Sequence, residues 1–154
     1  MSNVIKQKLT FKQITRAMID GREIIEQRMR GTTALNLMRT FQAIEKHYQV
    51  FEKTRDQLTQ TLNIADLEKG YIELKQKLSG KEKPSPVQQK KFTECSEKYN
   101  AARTAFQKEI NEILNQQVDI ETLSISEEEI QKLDVSAKCL LAIEPFITKP
   151  PTEQ

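Results

Sequence analysis

Apolar positions recur at alternating spacings of four and three along residues 34–62: Leu37, Phe41, Ile44, Tyr48, Phe51, Leu58 and Leu62, with Arg55 in the one slot that is not apolar. That period puts every one of these side chains on a single stripe of an α-helix. At about 1.5 Å per residue the stripe predicts a rod of roughly 40 Å, uninterrupted by Pro or Gly. A rod with one apolar seam needs a partner, and residues 87–116 repeat the pattern with Phe92, Cys95, Tyr99, Ala102, Phe106, Ile110 and Ile113. Ser85 with Pro86 at the first helical position marks the start of this second helix. An antiparallel hairpin follows, in which small Cys95 and Ala102 face the large Phe41, Tyr48 and Phe51.

The flanking segments read differently. Residues 3–9, NVIKQKL, form an extended stretch, and Thr10 with Gln13 has the spacing of a capping box for a helix carrying Phe11, Ile14, Met18, Ile25 and Met29. Gly21 lies in that seam, where it either weakens the helix or admits a close neighbour. Gly31, followed by Thr32 and Thr33, reads as a stop and restart, with a continuous helix as the competing reading. A shorter helix over 64–78 uses Ile64, Leu67, Tyr71, Leu74 and Leu78 and is interrupted by Gly70; the loop SGKEKPSP follows. Beyond the second long helix, QQVDIETLSI has the partial alternation of a strand. Ser126 with Glu129 then repeats the capping-box spacing, and Asp134 is placed to cap a last short helix bent at Pro145.

These elements predict a mainly α protein: a long, coiled-coil-like hairpin of 33–62 with 87–116 inside a small helical bundle. They allow a minor two-stranded sheet between the N-terminal segment and residues 117–125. A single domain would cover 1–148, with a small C-terminal subregion at 117–148 and a disordered tail at 149–154.

Composition agrees with helices that bury narrow stripes: 37 % hydrophobic, 6 % aromatic and no Trp in 154 residues. Cys95 and Cys139 lie far apart in the chain and read as small buried hydrophobes, which suits a reducing compartment. The start MSNVIKQKLTF has no continuous apolar run, and the run CLLAI is too short to span a bilayer, so a soluble, cytoplasmic protein is expected. Charge is polarised along the chain. Residues 1–62 carry 11 Lys and Arg against 6 Asp and Glu, whereas residues 117–154 carry 3 against 8. Such polarity favours an oriented protein partner or head-to-tail self-contact, and a homo-oligomer is plausible on the same ground.

Candidate chemistry is sparse. His47 is the single histidine and flanks the seam, and with two isolated Cys it forms no zinc spacing. The run at Glu127–Glu129 lacks the alternation and central Gly of a calcium loop. The glycines at 21, 31, 70 and 80 stand singly, so no phosphate-binding loop exists. No catalytic residue, metal ligand or cofactor is expected, and an enzyme site assembled between subunits from Glu and Tyr residues, which a polar pocket around Glu109 and His47 would favour, is the weakest reading. Arg16, Arg22, Arg28, Arg30 and Arg39 form the candidate interaction surface, peaking at RMRG. Shared on one face, they suit an acidic protein surface or, as the alternative, a nucleic-acid backbone. Asp20, Glu23 and Glu26 dilute that charge as helical neighbours. The polar faces mix both signs, unlike a membrane-surface helix.

The extended start VIKQKLTFKQI, the junction RMRGTTALNLMRTF, the stretch FQKEINEILNQQVDI and the closing EPFI together resemble the layout of small helical proteins encoded by tailed bacteriophages and prophages. That resemblance implies a virion accessory or assembly protein, or an early protein that binds a host factor. Together these readings point to a non-enzymatic protein-interaction module.

Overall fold

The computed structural model describes residues 4–80 and 83–148. Part of the SGKEKPSP loop and the whole of the 149–154 tail lie outside them. The protein is mainly α-helical with a minor two-stranded sheet, and the chain divides into two compact units.

The first unit comprises 1–51 and 114–154. Strand β1, Val4–Thr10, pairs antiparallel with β2, Gln117–Leu123, in a register that sets Lys6 opposite Glu121 and Lys8 opposite Asp119. Side chains alternate across the ribbon. Leu9, Ile120 and Thr122 are buried on its inner face, and the lysines and their acidic partners are exposed on the outer one. Helix α1, Phe11–Asp20, starts where Thr10 and Gln13 complete a capping box: the Gln13 N–H donates to Thr10 Oγ1 at 3.2 Å and the Thr10 N–H to Gln13 Oε1 at 2.9 Å. The helix buries Phe11, Ile14, Ala17 and Met18.

The expected extension of this helix through Ile25 and Met29 does not occur. The chain turns at Gly21 into a 3-10 segment, Arg22–Glu26, which buries Ile24 and leaves Ile25 exposed. Close approach is the reason for glycine here, because a Cβ at Gly21 would run into the Ala17 carbonyl oxygen and would also lie 3.0 Å from Ile143 Cγ2. Residues 27–30 are not helical and α2, Gly31–Thr61, starts afresh at Gly31, so the helix is interrupted; the stop lies earlier, at Gly21–Glu26, and Gly31 is the first residue of α2 and not a left-handed C′ glycine. Within this unit α2 buries Leu37, Thr40, Phe41, Ile44 and Phe51, with Tyr48 half-buried. Phe51 stacks on Phe11 at 6.1 Å and on Tyr48 at 6.5 Å.

After β2 the chain forms β3, Ile125–Ser126, then α5, Glu127–Gln131, and α6, Ala137–Ile143. A 3-10 turn at Glu144–Phe146 leads into β4, Ile147–Thr148, which pairs parallel with β3. Two expected caps differ. Ser126 makes no side-chain cap bond, and the Glu129 carboxylate is engaged by Arg30 instead. The cap of α6 is Ser136, not Asp134: its Oγ accepts from the Cys139 N–H at 3.2 Å. Ile130, Cys139, Ala142, Ile143 and Phe146 complete the core of this unit.

The second unit, Glu52–Ile113, is built from the rest of α2, from α3 (Ile64–Ser79) and from α4 (Pro86–Leu114). Asn63, at φ 54°, makes the left-handed turn between α2 and α3. Ser85 and Gln88 cap α4 reciprocally, the Gln88 N–H donating to Ser85 Oγ at 3.2 Å. Helix α3 runs unbroken through Gly70, so Gly70 is not the interruption the sequence suggests. Tyr71 stacks on Phe92 at 5.5 Å and on Tyr99 at 5.3 Å, and a Cβ at Gly70 would sit 3.8 Å from Cys95 Sγ. The α4 seam at 92–99 is therefore filled from α3. Leu58, Leu62, Phe106 and Ile113 are half-buried, and Ile110 is the one buried hydrophobic residue of this unit among the described residues. Arg55 is half-buried in the seam, with its Nε 3.9 Å from Asp56 Oδ1.

Candidate interaction surface

The five arginines all lie in the first unit. Arg16 is on α1, Arg22 on the 3-10 segment, Arg28 and Arg30 on the connection before α2, and Arg39 in the third turn of α2. Each is exposed. Arg30 reaches Glu129 at 3.7 Å; among the described residues the other four make no ion pair.

The acids expected to dilute this charge are drawn elsewhere. Asp20 Oδ1 lies 3.3 Å from Lys138 Nζ. Glu23 accepts twice from Ser136, from its N–H at 3.0 Å and its hydroxyl at 2.6 Å. The two carboxylates thus fasten the start of α6 to the end of α1 and to the 3-10 segment after it. Of the three acids, Glu26 alone stays exposed beside the arginines with no ion pair among the described residues.

Large apolar side chains share the stretch 16–39 with these cations. Ile19 is 63 % exposed, Met38 52 %, Leu35 46 % and Ile25 44 %. The geometry explains each. Ile19 falls off the α1 face that carries Ile14 and Met18, and the 3-10 segment turns Ile24 inward and Ile25 outward. Leu35 and Met38 are three apart on α2, on the side away from Leu37, Phe41 and Ile44. That side continues as a shallow trough of Arg39, Gln42, Glu45, Lys46 and Gln49. The sequence signal for these exposed residues was present, since Leu35 and Met38 do not fit the seam period. The Asp20–Lys138 and Glu23–Ser136 contacts span more than a hundred positions and left no local trace.

Cys139 is buried, its Sγ 3.6 Å from the Gly21 carbonyl oxygen, and burial pushes its thiol above the ordinary value of 9.0. A thiol so placed is protonated near neutrality and is a poor nucleophile. Cys95 is half-buried against α3, His47 half-buried on α2, and Glu109 exposed on α4. Among the described residues no cluster of three His, Cys, Asp or Glu is placed to hold a metal ion, and no helix is long and apolar enough to cross a membrane. No protein-family model, curated protein or solved structure matches the chain.

Proposed function

We propose that the protein is a non-enzymatic interaction module that binds another protein through the surface spanned by residues 16–39. The observation that carries this reading is the coincidence of exposed Arg16, Arg22, Arg28 and Arg39 with exposed Ile19, Ile25, Leu35 and Met38. Arginine and methionine are enriched, and lysine depleted, at protein–protein interfaces. Nucleic-acid surfaces are more polar and more uniformly cationic than this one. The arginines supply donors for carboxylates, and the apolar side chains supply area whose burial contributes about 25 cal/mol per Å².

The long helices serve as the scaffold in this reading. Within the second unit, Thr59 near the end of α2 lines one groove together with Tyr99, Arg103 and Phe106 of α4, which supports packing of that end of α2 beside α4. An accessory, assembly or host-factor-binding role in a tailed bacteriophage is consistent with the layout resemblance.

The test is retention of partners from an extract of cells that naturally carry the protein, after nuclease treatment. A defined protein retained by the native chain, and lost with both Met38→Asp and Arg28→Glu/Arg30→Glu at unchanged circular dichroism, is the expected result. Retention of nucleic acid alone, with binding that falls steeply with salt and disappears in the arginine double variant, would replace this reading with the nucleic-acid one.

A further inference from the structure

We propose that the open edge of β1 accepts an acidic, extended segment of a partner protein as a third strand. This surface is separate from residues 16–39 and does not depend on them.

Antiparallel ladders alternate between residue pairs that exchange backbone hydrogen bonds and pairs whose N–H and C=O groups point outward. Four bonds fix which is which here. The Phe11 N–H donates to the Gln116 carbonyl at 3.1 Å, so Phe11 and the odd-numbered residues before it in β1 face β2. Leu123, opposite Val4, instead exchanges bonds with Thr40 Oγ1 at 3.0 and 3.1 Å on the far side of β2. The Thr10 N–H turns away as well, to Gln13. Lys6 and Lys8 therefore present their N–H and C=O groups along the outer edge of β1, and no described residue takes them. Among the described residues the sheet has two strands, so no described strand pairs with β1 on that side. The edge of β2 differs, because α2 closes it at Leu123 through Thr40.

Charge selects the occupant. Lysines on an edge strand ordinarily keep other strands away. Lys6 and Lys8 both project from the outer face, with Lys6 Nζ 3.3 Å from Glu121. A second copy adding through its own β1 would set lysine against lysine, or against uncharged Val4 or Thr10, and never against a carboxylate of its own β1. Like charges directly opposite are destabilising, whereas an added strand with carboxylates opposite Lys6 and Lys8 is favoured. Its alternate residues would lie beside Ile5, Gln7 and Leu9 on the inner face, so they should be apolar. The matching partner is a segment alternating acidic and β-branched residues, held mainly by main-chain hydrogen bonds.

The probe is a short peptide alternating glutamate and valine, titrated into the full-length protein while amide exchange is followed by NMR. Saturable binding with slowed exchange at the Lys6 and Lys8 amides is expected. Methylating the peptide nitrogens that face β1 should weaken binding about tenfold or more, because main-chain bonds are removed while charge is kept. Lys6→Glu/Lys8→Glu should abolish binding of this peptide and admit its lysine–valine counterpart. Equal affinity for the methylated peptide would overturn the proposal, since charge alone would then account for binding. Unchanged exchange at Lys6 and Lys8, or protection that grows with protein concentration in the absence of peptide, would overturn it too. The latter would make a second copy the occupant.

Discussion

Thr40→Val and Thr122→Val remove the same hydroxyl from two buried threonines of the first unit, and the structure assigns them opposite consequences. Thr40 is 1 % exposed and its Oγ1 bonds both the N–H and the C=O of Leu123, joining α2 to the end of β2. Valine there removes two hydrogen bonds and leaves both backbone groups without a protein partner. A typical bond contributes about 1 kcal/mol, and a stranded buried group costs about 1–3 kcal/mol. Leu123 is half-buried and water recovers part of that loss, so a cost of about 2–4 kcal/mol is expected. Thr122, one position earlier and 3 % exposed, has a hydroxyl with no hydrogen-bond partner among the described residues. Valine there deletes a desolvated hydroxyl from a strand position that favours β-branched residues, so the change should be neutral or stabilise by up to about 1 kcal/mol. Urea unfolding followed by far-UV circular dichroism reads both, and amide exchange at Leu123 localises the first. Equal destabilisation by the two variants would refute the assignment. So would a Thr40→Val protein within about 0.5 kcal/mol of the native one, the range of ordinary surface changes.

Phe41→Ala should cost about 3–5 kcal/mol, whereas Phe106→Ala, in a half-buried seam, should cost clearly less; matched denaturation curves decide. Gly70→Ala should stabilise by about 0.5–1 kcal/mol, because α3 is helical there and the added methyl meets only Cys95 Sγ at 3.8 Å. A lower melting temperature would show that α3 and α4 are closer than described. Burial raises the Cys139 thiol above 9.0, so the folded state holds its proton over a range where the unfolded state releases it. The protein should therefore keep full stability below about pH 9 and lose part of it above, with a slope that Cys139→Ala reduces. An identical pH profile for that variant would contradict the burial of the thiol.

Local signals were legible wherever a short-range rule decided the outcome. The capping box at Thr10, the break before α2, the start of α4 at Ser85 and the extended character of the N-terminal segment and 117–123 follow from neighbouring residues or strand periodicity, whereas the pairing of those two segments was only one allowed arrangement. The errors lie where distant residues decided. The Cys139–Ile143 segment packs at Gly21 and ends α1 early, which exposes Ile25. Lys138 and Ser136 hold Asp20 and Glu23, so these acids do not neutralise the arginines. Glu129 reaches Arg30 instead of completing a cap with Ser126. Tyr71, read as part of a minor helix, fills the α4 seam between Phe92 and Tyr99. The candidate surface was thus half legible. Its arginines stand out in the sequence, while the engagement of Asp20 and Glu23 away from them depends on contacts from the far end of the chain.

Photo-crosslinking in the native cell, with a benzophenone side chain at position 38, tests the central claim most directly. A discrete protein adduct at position 38, absent when the same group is placed at exposed Glu109 and lost on Arg28→Glu/Arg30→Glu, is the predicted result. Adducts of equal yield at both positions, or an adduct at position 38 that nuclease removes, would contradict it.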